Sequence, residues 1–280
     1  MKRIGQSLIS LLSCIMLFTC SMSEGEPGEF TEGPFGGEEL PVEGAALWLR
    51  ADRDVCKSTS NKVNAWEDQT PNGNTAIAMV KPEWVDNVLN EKPVIRFSGT
   101  EYFLLPEFMS SSDVTVFIVG SFPNQGIVQN LLSDYGDLTN KSFCIRVSDL
   151  SNTLQFRLND SAGDSVNNSS INDSSQFHIF TARLNSINSE LYYNGANDNI
   201  ITNISDPPYD YDTSTKWDGT TSGRYPTIGR DSNPDAVPLG YLTGDLAEII
   251  IYRYALPDGD RVKIECYLGE KYGIPVSGCD

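Results

Sequence analysis

Two hydrophobic periods run through the chain, and the change from one to the other is sharpest near its end. Ala247, Ile249 and Ile251 fall on one face of a period-two strand, and Leu246, Glu248, Ile250 and Tyr252 on the other. At least one face is wholly apolar, which predicts a core strand. Beyond Tyr254 the apolar positions Ile264, Tyr267, Leu268 and Tyr272 recur at the spacing of a helix lying on a sheet. Asp258 suits the N-cap, Asp260 the first turn and Lys271 the last, while Gly273, Ile274 and Pro275 form a C-terminal stop.

The middle of the chain reads as strands at regular intervals. Val114, Val116 and Ile118 alternate with Thr115, Phe117 and Val119, so this strand is apolar on both faces and central. Leu154, Phe156 and Leu158 alternate with Gln155, Arg157 and Asn159, which predicts a half-exposed strand. Residues 176–184 and 190–193 flank 185–189 as a hairpin, and Asn194-Gly195 marks the next turn. The Ser-, Asn- and Asp-rich stretch 159–175 reads as a mobile loop. Strands with no helical pattern between them before Asp258 argue for an antiparallel two-sheet sandwich. The chain has 280 residues, and sandwiches of about 200–250 residues commonly form one domain.

Several segments carry a resemblance in the same order. They are ALWLRAD at 46–52, VNAWEDQ at 63–69 with the turn PNGN at 71–74, KPVIRF at 92–97, TVFIV at 115–119, ELYYNG at 190–195, and the closing strand and helix. Together they resemble the concanavalin A-like superfamily, in particular the laminin-G-like jelly-roll domains of bacterial surface proteins, over roughly 40–275. The resemblance implies an all-β, antiparallel two-sheet jelly-roll sandwich with one short C-terminal helix packed on it. It implies little about activity, since this architecture hosts lectins, glycosidases, adhesive modules and spacers.

The N-terminus reads as a targeting segment. Lys2 and Arg3 precede an apolar run over 8–18, which predicts a signal peptide at 1–19. Residues 17–20 resemble a lipobox with Cys20 as the lipidated residue; Cys14 is the rival, and ordinary cleavage near Ser21 to Ser23 is the alternative. Residues 20–39 lack Lys and Arg and intersperse Glu with Gly and Pro, a composition that favours an acidic disordered tether before the domain at 40–280. The acidic stretch resembles the export signal of Bacteroidetes surface lipoproteins, which implies an outer-membrane lipoprotein exposed at the cell surface, with the periplasmic face as the alternative. The formal net charge is −18, and loss of Lys2 and Arg3 would make it −20. Nucleic acid is therefore excluded as an expected partner, and membrane contact is expected only through the lipid.

Four cysteines follow the anchor: Cys56, Cys144, Cys266 and Cys279. One disulfide is expected, with Cys279 joining either Cys266 or Cys56. Cys144 alternates with Phe143, Ile145 and Val147 and reads as a small residue within the sheet. No CxxC is present, so the spacing matches no zinc site.

Catalytic patterns are sparse, which predicts a non-enzyme. The only histidine, His178, starts a strand, where laminin-G-like domains carry a packing and hydrogen-bonding histidine. The Glu-x-Asp-x-x-Glu strand motif of glycosidases in the superfamily, which sets two carboxylates on one face, is absent. Glu248 has no carboxylate two residues away and is expected to pair with an arginine or lie exposed on the sheet.

Binding chemistry concentrates between 206 and 230. Tyr209, Tyr211, Trp217 and Tyr225 stand among Asp210, Asp212, Asp218 and Arg224. Flat rings stack on pyranose faces while Asp and Arg bond hydroxyls, so Trp217, Tyr209, Tyr211, Tyr225, Arg224 and Asp218 are the candidate ligand-binding residues. The competing explanation is that these aromatics pin a long loop to the sandwich. Asp231, Asp235 and Asp245 are candidate ligands for a Ca²⁺ ion at the rim. The leading functional expectation is glycan recognition. The second is an adhesive or scaffold module binding a surface protein, and the third a glycoside hydrolase.

Overall fold

The structure is a computed structural model that describes residues 39–106, 108, 113–123, 125–135, 142–148, 153–160, 163–169, 175–185, 188–202, 225–232 and 240–279. Alternating apolar positions give the strands β1 (Leu47–Arg50), β2 (Val55–Lys57), β3 (Val63–Trp66), β4 (Ala76–Val80), β5 (Glu83–Leu89), β6 (Lys92–Ser98), β7 (Tyr102–Leu104), β8 (Val114–Ser121) and β9 (Gln129–Tyr135). The chain continues through β10 (Ser142–Val147), β11 (Leu154–Asp160), β12 (Gly163–Asn168), β13 (His178–Asn185), β14 (Asn188–Tyr193), β15 (Ala196–Ile201), β16 (Thr227–Ile228) and β17 (Thr243–Tyr252) to the helix α1 (Asp258–Tyr272).

An eight-stranded sheet runs β15-β14-β13-β8-β17-β6-β5, with β1 also on β17, and a nine-stranded sheet runs β12-β11-β10-β9-β16-β7-β4-β3-β2. Every ladder is antiparallel. The sheets enclose one apolar core that includes Leu49, Trp66, Phe97, Phe103, Phe156 and Ile249. A second apolar layer lies outside the eight-stranded sheet, where Phe117, Val119, Ile250 and Tyr252 meet Ile264, Tyr267, Leu268 and Tyr272 of α1. β8 thus feeds both layers, as its two-faced alternation predicts. Each fully buried large side chain contributes about 1.5–3 kcal/mol, which makes this helix face the main reason α1 stays on the sheet. We call the eight-stranded sheet the covered sheet and the other the open sheet.

Several expectations are corrected by the packing. The strict alternation in β17 is broken by a bulge between Leu246 and Glu248. The extra residue places Leu246 with Ile249 and Ile251 in the inter-sheet core, and Ala247 with Ile250 and Tyr252 beneath α1. Pro257, and not Asp258, stands at the N-cap of α1, because Asp258 is drawn to Arg183 at 2.8 Å. The stretch 159–175 contains the strand β12. Its polar side chains act as ladder partners: Gln155 Nε2 donates to Asn168 Oδ1 at 2.6 Å, and Asn167 Nδ2 to the Ser189 carbonyl at 2.8 Å. Cys279 pairs with Cys266, stapling the tail to α1. Cys56, half-buried on the edge strand β2, is also disulfide-bonded, so the expectation of one bond is corrected. Cys144 is a thiol on the outer side of β10.

Glu248 is the largest departure from expectation. It is completely buried and neither exposed nor ion-paired to an arginine. Its carboxylate accepts from Trp48 Nε1 at 2.6 Å, Lys271 Nζ at 2.5 Å, Tyr272 Oη at 2.7 Å and Tyr267 Oη at 3.4 Å. Lys271 also reaches Asp52 at 3.2 Å, and Asp52 takes two bonds from Arg50 at 2.9 and 3.0 Å. Burial alone would raise the Asp52 carboxyl, but Arg50 and Lys271 outweigh it and hold it well below the usual carboxylate range. Burial, reinforced by the Glu248 charge, pushes the Tyr267 and Tyr272 hydroxyls up, so both remain donors. A second cluster ties Arg183 to Glu190, Asp258 and the Leu256 carbonyl, and Arg261 and Thr181 to Glu265.

Breaking a buried ion pair by removing one partner costs about 3–5 kcal/mol. Glu248→Ala is accordingly expected to lower unfolding free energy by about that amount in urea titrations, and a loss below about 1 kcal/mol would remove the network from its central role. The Asp52 carboxyl is lowered on folding, so its contribution is present above its unfolded value near pH 4 and is lost as pH falls further. The stability gap between the natural chain and Asp52→Asn should be about 2–4 kcal/mol at neutral pH and close below about pH 4. A gap independent of pH would contradict this assignment.

Candidate functional site

The outer faces of the two sheets differ. That of the covered sheet is filled by α1 and by Leu40, Val42 and Ala45 of the entering segment. Among the described residues no helix lies on the open sheet, and its outer side chains follow from register. Ala65 pairs with Ile77, Ile77 with Leu104, Leu104 with Thr227, Thr227 with Ser133, Ser133 with Cys144 and Cys144 with Arg157. Their chain neighbours Trp66, Phe103, Ile228, Leu132, Phe143 and Phe156 fill the core, so this row points outward. A parallel row runs Asn130, Arg146, Gln155, Asn168. It is linked by Arg146 Nε donating to Gln155 Oε1 at 2.8 Å and by Gln155 donating to Asn168.

At the β7 end of this face three side chains meet. The Arg230 guanidinium lies 4.0 Å over the centroid of the Tyr102 ring, and Tyr102 packs against Tyr241 with centroids 6.3 Å apart. All three are half-buried. The backbone sets Arg230 there through Gly229, whose φ is +94° and where a Cβ would lie 2.7 Å from the Phe97 ring and 2.9 Å from the Glu101 carbonyl. Gly229 N–H donates to the Leu131 carbonyl and its own carbonyl accepts from Leu242, which locks the turn. Thr227 Oγ1 donates to the Arg230 carbonyl at 2.8 Å. The Arg230 Nε–H is buried and has no hydrogen-bond partner.

Of the residues singled out from sequence, Tyr209, Tyr211, Trp217, Asp218, Arg224 and Asp235 lie outside the described residues, as does Cys20. Tyr225 is half-buried at the start of the segment leading into β16. Asp231 follows Arg230 in the loop, while both Asp245 oxygens accept from Arg96 at 2.8 Å on the other sheet. Among the described residues no group of three His, Cys, Asp or Glu side chains is arranged to hold a metal ion. His178 opens β13, with its ring 4.2 Å from Tyr193 and its Nδ1 accepting from Asn194 at 3.2 Å. Glu248 has no exposed surface with which to touch a substrate. Sequence reasoning missed Tyr102, Arg230 and Tyr241; the signal was the arginine closing the aromatic stretch that ends at 230.

No family model matches the chain, and no curated protein matches it. Solved structures do share its fold. The binding domain of Paraclostridial Mosquitocidal Protein 1 superposes with a TM-score of 0.57 at 16% identity, over 81% of this chain and 52% of that one. A botulinum neurotoxin type C structure, described with two interacting ganglioside molecules, gives 0.52 at 14% identity over 80% and 51%. The botulinum neurotoxin serotype D ligand-binding domain, in complex with N-acetylneuraminic acid, gives 0.51 at 14% identity over 79% and 50%. The chain thus spans about half the length of each, and the likeness is one of fold.

Proposed function

We propose that this protein is a non-enzymatic binding module that recognises carbohydrate on the outer face of its open sheet. The observation that carries the reading is the Tyr102–Tyr241 pair beside Arg230, next to a row of Asn, Arg and Gln side chains. Aromatic faces take the apolar side of a pyranose, and amide and guanidinium groups bond its hydroxyls. The aromatic stretch at 206–230 ends in this face through Arg230. Ligands named for two proteins of similar fold, gangliosides and N-acetylneuraminic acid, support the same class.

A protein partner is the second reading, favoured by Ile77, Met79 and Val80, which are 50, 53 and 42% exposed on β4 of the same sheet. Display at the cell surface through an acylated Cys20 completes the proposal. It is supported by Lys2, Arg3, the apolar run at 8–18 and the acidic stretch after Cys20.

A glycan array probed with the purified protein, with and without Ca²⁺, should give saturable binding that Tyr102→Ala weakens about tenfold, the loss of one stacked ring. Binding unchanged in Tyr102→Ala and lost in Trp217→Ala would move the site to the aromatic stretch. A blank array with folded protein would favour the protein partner. Mass spectrometry of protein from a diderm bacterial host should show acylated Cys20 at the mature N-terminus. Thioether-linked Cys20 has no thiol left, so a Cys20–Cys56 disulfide would refute the anchor.

A further inference from the structure

The arginines of this chain are sorted by face. On the covered sheet and its helix, Arg50 is bonded to Asp52, Arg96 to Asp245, Arg183 to Glu190 and Asp258, and Arg261 to Glu265. On the open sheet, among the described residues, Arg146 bonds the neutral Gln155 and Arg230 meets no carboxylate. The two outward rows contain Arg146 and Arg157 and no acidic residue. In a chain with 38 acidic residues against 20 basic ones, these two rows stand apart from the composition around them.

Arg230 carries a specific cost. A half-buried guanidinium with a buried Nε–H and no partner has given up hydration without recovering a hydrogen bond. That Nε–H is closed off from solvent, so a ligand can reach only the terminal amino groups of Arg230, which are not buried. The Arg230 guanidinium carbon lies 4.0 Å from the Tyr102 ring centroid, and its two terminal amino groups remain for a planar acceptor. That pair matches a carboxylate, which takes two parallel N–H bonds. The adjoining Tyr102 and Tyr241 rings then give the rest of a sugar a surface to pack on, which a bare inorganic anion would not use.

We infer that the ligand of this site is an acidic sugar whose carboxylate is received by Arg230. This rests on the carbohydrate reading above and narrows it to one chemical class. The carboxylate takes hydrogen bonds from the terminal amino groups of Arg230, while the Tyr102 and Tyr241 rings pack on the neutral part of the sugar.

The test is calorimetric titration of the purified full chain with oligosaccharides bearing uronic or nonulosonic acid, each beside its carboxyl-reduced form and a sulfated neutral form. At about 50 mM salt the acidic form should bind about 10- to 100-fold more tightly than the reduced one, the range of one charge-assisted contact. Arg230→Gln should bring that ratio to about one, by a loss of affinity for the acidic form larger than that for the reduced form, with the melting temperature showing that the variant is folded. Arg230→Lys should restore only part of the ratio, because an ammonium lacks the fork. Equal binding of acidic and reduced forms, or a preference that survives in Arg230→Gln, overturns the inference and leaves the carbohydrate reading standing. Preference for the sulfated form assigns Arg230 to sulfate and overturns the carboxylate. If folded protein binds none of the sugars, both readings fail together.

Discussion

A single carboxylate, that of Glu248, sets the orientation of one whole side of the molecule. Taking an ion out of water costs several kcal/mol unless donors replace the water. Here those donors come from two different elements, Trp48 on β1 and Tyr267, Lys271 and Tyr272 on α1. Sliding the helix by one turn would strand the charge, whereas apolar contacts alone would tolerate it with modest loss. The buried ion fixes the register in which α1 lies, and the apolar stripe supplies the adhesion. With Cys266–Cys279 closing the tail onto the same helix, the outer face of this sheet lies beneath α1 and the entering segment.

That commitment leaves the second sheet as the face on which chemistry can occur. The contrast is electrostatic as well as steric: cations under the helix are neutralised within the fold, while the two outward rows of the other sheet contain Arg146 and Arg157 and no acidic residue. The bulk negative charge of the chain makes such a face more selective, since an anion approaching elsewhere meets repulsion.

How much of this was legible in the sequence depends on whether the deciding interaction was local. The two-faced alternation of β8, the hairpin of β13 and β14 and the stripe of α1 are periodic over neighbouring residues, and the structure keeps them. The bulge in β17 is set where the strand changes partner, from β6 in its first half to β1 in its second, and no pattern within β17 marks that point. Glu248 read as paired with an arginine or exposed because its donors lie about 20 residues later and 200 residues earlier in the chain. β12 was read as a loop because its stabilising partners are amide side chains, which in sequence look the same as turn formers. Arg230 was visible as a letter, but its lack of a counter-ion is a property of the assembled surface. Tyr102 resembled any strand aromatic until register placed it outward beside that arginine.

The place where the chain enters the sandwich has a geometric consequence. Val42 and Glu43 hand their carbonyls to Tyr252 and Tyr254, and Leu40 packs in the layer beneath α1, so the described chain enters on the helix side. The C-terminal tail is fastened on that side as well. A molecule held at residue 40 would turn its helix toward the hold and the half-buried Tyr102 and Arg230 of the other sheet away from it, like the palm of a hand held up at the end of an arm.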